Sequence, residues 1–376
     1  MAGIYIHIPF CRQACTYCNF HFSTALAQKD NLLAAIVKEI IIANNFIASD
    51  ETIDSIYFGG GTPSLLTKDE LMLIIDALHA SFRISKNAEI TLEANPDDIN
   101  KTILDDWRAI GINRLSLGVQ SFNDMELRWM NRAHTARESL QSIDEILASG
   151  ISNFSVDLIF GSPLLTDADL EKNLDLILRK HIPHLSCYAL TVEPKTVLNK
   201  LVIEKKSLPV NVDTQARQFS LVMNALKQNG YEHYEISNYA KPGMRSKHNS
   251  SYWRGKPYYG FGPSAHSFNG TNRRRWNIAN NLLYIQSLNK NKLPFEEEVL
   301  TETQQLNEYL MTALRTMEGI NKSYVEHVFG VEHFEKIAAV SRKYLKTNKI
   351  VAQNGNLILT DEGKLFADGI AADLFF

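Results

Sequence analysis

From Ile4 to about Asn229 the chain alternates between short apolar runs and longer stretches whose apolar residues recur at helical spacing. The runs cover residues 4–8, 53–58, 89–93, 114–118, 154–159 and 185–190. Helical patterns follow at 31–44, after Thr67 (Leu71, Ile74, Ile75, Leu78 and Phe82 on one face), and at 103–110, 139–148, 168–179 and 214–229. Thr67 and Glu70 stand at capping-box spacing ahead of the second helix. Strands that alternate with helices are parallel, because parallel neighbours need a crossover connection. The six units predict an α/β fold, either a partial (β/α)6 TIM-like barrel or an open doubly wound sheet.

Beyond Tyr231 the pattern changes. Residues 231–277 are rich in Gly, Asn and aromatics and show no clear period, and Glu296-Glu297-Glu298 reads as a solvated boundary. Amphipathic helices are expected at 304–317 and 331–344, followed by two short apolar runs around Asn354-Gly355, a hairpin signal. Helix, helix and hairpin in that order predict a smaller C-terminal α+β, winged-helix-like module. We therefore divide the chain at 1–235, 236–295 and 296–376. The module is not strongly basic, and the whole chain of 376 residues carries a net charge of −3, so nucleic acid is not expected as a partner.

Three of the four cysteines, Cys11, Cys15 and Cys18, fall within eight residues directly after the first strand. Thiolates favour zinc and iron–sulfur clusters. Structural zinc normally takes four protein ligands, and no fourth cysteine or histidine follows at a usual spacing. A cubane held by three cysteines would leave one iron open to another ligand. Three ordinary buried thiols are the plainer alternative. Tyr17, Phe20 and Phe22 interleave the thiolates as a solvent-limiting shell would. The clustering also suits a reducing compartment better than a disulfide framework. The start lacks a basic n-region followed by an apolar stretch, and no apolar run approaches the ~20 residues that span a bilayer, so a cytoplasmic location is expected.

Gly59-Gly60-Gly61-Thr62-Pro63 lies between a strand and a helix, where glycines allow a ligand close to the backbone or simply make a tight turn. Neither phosphate-loop pattern is present. Polar residues recur near the ends of later strands: Glu93, Gln120, Asp157 and Tyr188. In a parallel barrel this rim is where sites are built, although each residue alone reads equally as a strand-end hydrogen bond. Arg132 is a candidate for pairing a carboxylate or, equally, an exposed helix charge. Cys187 reads as core.

Cys11-x3-Cys15-x2-Cys18, with Tyr17 before the third cysteine, resembles the cluster signature of radical S-adenosylmethionine (SAM) enzymes, and Gly-Gly-Gly-Thr-Pro looks like their loop for the methionine end of the cofactor. From residue 3 to the C-terminus the chain resembles the HemN-like branch, and within it the HemW-type heme chaperones. Porphyrinogen enzymes of that branch carry a fourth cysteine where this chain has Phe20, and a longer segment before the cysteines. His248-Asn249-Ser250-Ser251-Tyr252-Trp253 is similar to the HNxxYW motif of the chaperone group.

The resemblance implies a radical SAM partial barrel in which Cys11, Cys15 and Cys18 hold a [4Fe–4S] cluster and the open iron takes SAM. Tyr5, Tyr17, Gly60, Gly61, Thr62, Glu93, Gln120, Arg132, Asp157 and Ala265 match cofactor-binding positions, with Gln120, Arg132 and Asp157 matching those for a second SAM. His248 is implied as a ligand to heme iron with Tyr252 and Trp253 flanking it; a histidine in a loop is also a common hydrogen-bonding residue. The implied activity is heme binding and delivery to acceptor proteins, the membrane among their locations, with a homodimer as the implied assembly. The alternative is oxygen-independent coproporphyrinogen III dehydrogenation by radical oxidative decarboxylation. Phe20 and His248 favour the chaperone.

Overall fold

The computed structural model describes residues 2–42 and 51–376. Its strands are β1 (Ala2–Ile8), β2 (Thr52–Gly60), β3 (Arg83–Ala94), β4 (Arg114–Gln120), β5 (Phe154–Phe160), β6 (His184–Ala189), β7 (Glu232–Glu235), β8 (Asn238–Ala240), β9 (Tyr258–Phe261), β10 (His266–Phe268), β11 (Arg273–Asn277), β12 (Phe295–Val299), β13 (Ile320–Asn321), β14 (Ile350–Gln353) and β15 (Asn356–Leu359). Its helices in the first half are α1 (Lys29–Ile42), α2 (Lys68–Ser81), α3 (Lys101–Ala109), α4 (Asp124–Trp129), α5 (Ala136–Ser149), α6 (Asp167–Arg179), α7 (Val197–Ile203) and α8 (Val212–Gln228). Those in the second half are α9 (Lys247–Trp253), α10 (Asn281–Asn289), α11 (Glu302–Leu314), α12 (Lys322–Val328), α13 (Val331–Lys346), α14 (Asp361–Lys364) and α15 (Ala367–Asp373). The end expected for the first helix, Asn44, lies outside the described residues.

Strands β1 to β6 are parallel and adjacent in chain order, as the alternation predicts. This is the α/β partial barrel. The sheet stays open and extends on both sides: β9 adds parallel to β1 and leads through β10 and β11 to β12, while β8 and β7 add antiparallel beyond β6. Capping boxes start α2 at Thr67 and α5 at Thr135, each satisfying two otherwise orphaned amides.

Side chains alternate across a strand, and here the two faces differ in chemistry. The face under the helices is aliphatic: Ile4, Ile6, Ile8, Ile56, Phe58, Leu92, Leu115, Leu117 and Val156 are buried in the main core. The inner face carries Tyr5, Ser55, Tyr57, Glu89, Glu93, Ser116, Asp157, Ser186 and Tyr188 at the alternate positions. This polar lining is what makes the sheet a site rather than a scaffold.

The acidic run expected as a solvated boundary is the edge strand β12, pairing antiparallel with the arginine-rich β11 so that Arg274 faces Glu298 and Arg275 faces Glu297. Charge on an edge strand discourages pairing with other sheets. The last part of the chain builds its own core from Leu306, Leu310, Leu314, Ile337, Leu357 and Ile370. Asn354 and Gly355, at φ 51° and 79°, form the hairpin turn between β14 and β15. Arg315 anchors this part to the sheet through the fully buried carboxylate of Glu235, at 3.0 Å.

Candidate functional site

The C-terminal ends of β1 to β6 open into a cavity of about 540 Å³ lined by Cys11, Cys15 and Cys18 on one side and by residues of the other strand ends opposite. The cysteine loop is clamped by contacts to neighbouring segments of the chain. Cys11 N donates to Ser23 O (3.0 Å) and Thr16 N to Met130 O (3.0 Å). Gln13 Nε2 donates to Asn131 Oδ1 (2.8 Å), and Asn131 Nδ2 to Ala14 O (2.7 Å). Helix α7 joins through Leu198 N to Thr16 O (2.7 Å).

Arg132 lies inside the cavity, not on an exposed helix face. Its Nη1 lies 3.3 Å from Cys15 Sγ, and Nη2 donates to Asn95 Oδ1 (2.6 Å) and Gly118 O (2.8 Å). Burial works against the cation, but Tyr17 and Cys15 beside it hold the guanidinium charged. Burial also raises the Cys18 thiol to about 11, with Cys15 and Cys11 adding to the effect.

The glycine loop follows from packing against β1. Gly60 has φ +107°, and a Cβ there would meet the His7 ring at 2.6 Å. A Cβ on Gly61 would lie 2.6 Å from Phe10 O, because Gly61 N donates to Ile8 O at 2.8 Å. The turn and the close approach are therefore one feature. Next to it, Glu93 accepts from Tyr57 Oη (2.8 Å) and Gly60 N (3.2 Å). Burial, with nearby Asp157 adding to it, raises its carboxyl to about 7 against the hydrogen bonds from Tyr57 and Gly60. Asp157 itself is raised to about 6 by burial, against hydrogen bonds from Ser186 and Ser116.

Of the residues matched to cofactor binding, Tyr17, Gly60, Gly61, Thr62, Glu93, Gln120, Arg132 and Asp157 line this one cavity. Tyr5 and Ala265 do not. Tyr5 sits behind the wall, its hydroxyl paired with His7 Nδ1 (3.0 Å) and its ring stacked on Tyr57. Ala265 is buried in the turn after β9, where its amide donates to Gly262 O (3.2 Å).

His248, Tyr252 and Trp253 are not brought to the cavity. They belong to α9, which packs on the inner face near the N-terminal ends of β1 and β2 and closes its floor. The two ring nitrogens of His248 pair with Ser55 Oγ (2.9 Å) and Tyr252 Oη (3.0 Å), and its ring stacks on Tyr57 at 5.0 Å. Burial pushes His248 down to about 3, so it is neutral. Glu89 accepts from His248 N at 3.1 Å, and Trp253 lies beneath the Arg315 guanidinium.

Asn95, Ser116, Asn131 and Tyr57 also build the site, although none was singled out by sequence. Asn95 and Ser116 sit at strand ends or alternate strand positions, a signal that period two could have raised. Asn131, with φ 57°, carries only the general loop preference of asparagine.

The residues fit a cluster better than a single ion. Among the described residues no group of three or more His, Cys, Asp or Glu converges as single-ion ligation requires. Zinc would draw its sulfurs to about 2.3 Å from one centre, whereas a cubane takes one thiolate on each of several irons. Three free thiols around one cavity, with an arginine beside one of them, match the second donor set.

Comparison with known proteins agrees. Residues 5–177 match the radical SAM superfamily and residues 300–366 the HemN C-terminal domain. The chain is 34% identical to the heme chaperone HemW of Bacillus subtilis, over 98% of each chain. It is 32% identical to that of Lactococcus lactis, over 96% of this chain and 93% of the relative. The solved Escherichia coli coproporphyrinogen III oxidase HemN, a radical SAM enzyme, superposes with a TM-score of 0.85 at 22% identity, covering all of this chain and 90% of that one.

Proposed function

The chain belongs to the HemW heme-chaperone family of the radical SAM superfamily, and from that premise we propose that it binds heme and hands it to acceptor proteins. The carrying observation is the similarity to heme chaperones along nearly the whole chain, at 34% identity. Phe20 supports it: it lies 67% exposed at the cavity edge, where porphyrinogen enzymes of the HemN-like branch carry a further cysteine.

The resident cofactors are a [4Fe–4S] cluster and SAM. Cys11, Cys15 and Cys18 would hold the cluster, and bound SAM on a reducible cluster supplies one-electron chemistry at its sulfonium. The chain's own residues position and insulate. Gly60, Gly61 and Thr62 would offer backbone and hydroxyl groups to the methionine end, and Glu93 would offer a carboxylate to its amino group. Arg132 screens the thiolate of Cys15 and fixes Asn95. Gln120 and Asp157 face the remaining cavity, in the positions matched to a second SAM. Tyr5 supports Tyr57 from behind, and Ala265 fixes the turn after β9.

Along the chain, residues 1–235 would form the catalytic-type barrel, 236–295 its floor and flank, and 296–376 an interaction module. We place the protein in the cytoplasm, whose reducing conditions keep three clustered thiolates available. No helix among the described residues is long and apolar enough to cross a membrane, so an acceptor at the membrane would be met from the aqueous side, with a homodimer as the working assembly.

The test is anaerobic. The cluster-loaded chain, titrated with hemin and then mixed with an apo-hemoprotein, should develop a Soret band and pass it on. Given SAM, reductant and coproporphyrinogen III, it should form no protoporphyrinogen IX. Multiple turnovers to that product would assign the chain to the dehydrogenase instead.

A further inference from the structure

The cysteine loop leaves β1 at Ile8 and returns beside it at residues 21–23. Ser23 N donates to Pro9 O (2.8 Å) and Cys11 N to Ser23 O (3.0 Å), which closes the base of the loop. One position before Ile8, on the polar inner face, lies His7, buried. Its Nε2 is 2.8 Å from His21 O, and its Nδ1 is 3.0 Å from the Tyr5 hydroxyl. A carbonyl only accepts, so Nε2 carries the proton. Nδ1 of a neutral imidazole is then an acceptor, and the Tyr5 hydroxyl donates to it. Burial pushes His7 down to about 4 against the hydrogen bond to His21, with the His21 and His266 rings adding to the fall, so the ring is neutral. Both nitrogens are engaged, each in one sense only.

The same residue stands between three segments around the cofactor site. On one side its ring fills the space that a Cβ on Gly60 of the glycine loop would need. On another, a Cβ on Gly262 would run into His7 O and Cβ, and Gly262 belongs to the turn that holds Ala265. On the third, the His7 and His21 rings stack at 6.1 Å, and His21 Nε2 pairs with Asn281 Oδ1 (2.7 Å) at the start of α10. Ordinary packing requires a shape at such a place and no particular donor. A single tautomer held from both ends is a directional constraint, and groups behind metal ligands that fix their orientation are worth about tenfold to a hundredfold in metal affinity.

Resting on the assignment of the cluster and SAM to this cavity, we propose that His7 is a positioning residue for both. Tyr5 fixes its tautomer, the Nε2 proton holds the returning limb of the cysteine loop at His21 O, and the ring sets that limb against the glycine loop. Tyr5 then serves the cofactor site through His7 and not from the cavity wall. Without the Nε2–H the limb loses this tie to β1, and Cys18, three residues before His21, is the thiolate freed to move. Cluster retention and SAM binding then depend together on where one proton sits.

The test uses the full-length, cluster-loaded chain with SAM as the ligand. His7→Phe keeps a ring but has no donor. It should lose cluster iron to a ferrous chelator about tenfold faster and bind SAM about tenfold more weakly, read in the EPR spectrum of the reduced cluster. His7→Gln carries a terminal N–H that can reach His21 O and should restore both to within about threefold of wild type. Tyr5→Phe leaves Nδ1 without its donor and should fall between the two. Without cluster, each variant should melt within about 4 °C of wild type. In the chain with 15N-labelled histidines, the His7 signal, identified by its loss in His7→Gln, should be that of the Nε2–H tautomer. A wild-type Nδ1–H tautomer overturns the proposal. So do iron loss and SAM binding in His7→Phe that match wild type, and equal losses in His7→Phe and His7→Gln, since then only the ring's bulk matters. Should His7→Phe not fold, the wild-type tautomer and the rescue by His7→Gln decide. A wild type that takes up no cluster overturns the cofactor assignment itself, a distinct result.

Discussion

Tyr57→Phe removes a single oxygen atom from beneath the cofactor site. The ring remains, so its stacking on His248 and Tyr5 persists. What is lost is the donor to Glu93 Oε1 at 2.8 Å, leaving the carboxylate with Gly60 N alone. A hydrogen bond to a charged group contributes about 1.5–3 kcal/mol, and about 1.4 kcal/mol moves a pKa by one unit. Burial has already raised Glu93 to about 7, and the Tyr57 hydroxyl holds it down by favouring the ionised form. The substitution should therefore lift it to about 8–9. Glu93 must be ionised to accept strongly from the iron-bound amino group, so cofactor affinity is highest above its pKa and falls as pH drops through it. At pH 7 the ionised fraction would drop from about half to between a tenth and a hundredth, and SAM would bind about fivefold to fiftyfold more weakly. Anaerobic calorimetry of the cluster-loaded protein between about pH 6 and 9 would read this as a displaced titration curve. A curve that keeps its midpoint, at whatever affinity, would refute the assignment of Glu93 to the amino group.

Three further substitutions follow, two at the cavity and one in the buried network beneath α1. Gly61→Ala puts a methyl 2.6 Å from Phe10 O and 2.8 Å from Ile8 O, backbone atoms that cannot yield cheaply; urea unfolding should show a loss of about 1–3 kcal/mol and SAM binding should fall with it. Arg132→Met removes the cation beside Cys15 and should speed loss of cluster iron to a chelator about tenfold to a hundredfold, read as bleaching near ~400 nm, while the melting temperature of the cluster-free chain changes little. Glu39→Ala strips the acceptor from Gly262 N, Asn277 Nδ2 and Tyr284 Oη and should cost about 3–5 kcal/mol of stability in urea, with Glu39→Gln markedly milder.

The parallel strands and their helices were legible because five or more residues of alternating or helical period suffice to declare an element. The stretch from Tyr231 to Asn277 was not, because its strands run for only three to five residues, too short for a period. Glu39 shows a second limit. In an apolar helix it reads as a solvent-facing charge beside Lys38, yet it is buried, joined to partners more than two hundred positions away in sequence. Eight of the positions that the resemblance matched to cofactor binding line the one cavity; Glu93, Gln120 and Asp157 were also visible as polar residues near strand ends, whereas Tyr17 and Thr62 came from the resemblance alone. The floor was read differently. A histidine flanked by aromatics suggests a ligand, but only the fold reveals Ser55, some 193 residues upstream, waiting for its Nδ1.

That difference bears on how a scaffold of this kind can carry cargo. With α9 closing the floor and Glu89 capping that helix, the polar inner face opens at the strand ends. The same floor helix reaches the C-terminal module through Trp253 beneath Arg315, and Arg315 is also the residue that grips Glu235. An acceptor bound to that module would thus load the contacts that tie it to the floor of the site, Arg254 to Glu318 and Arg245 to Glu318 among them.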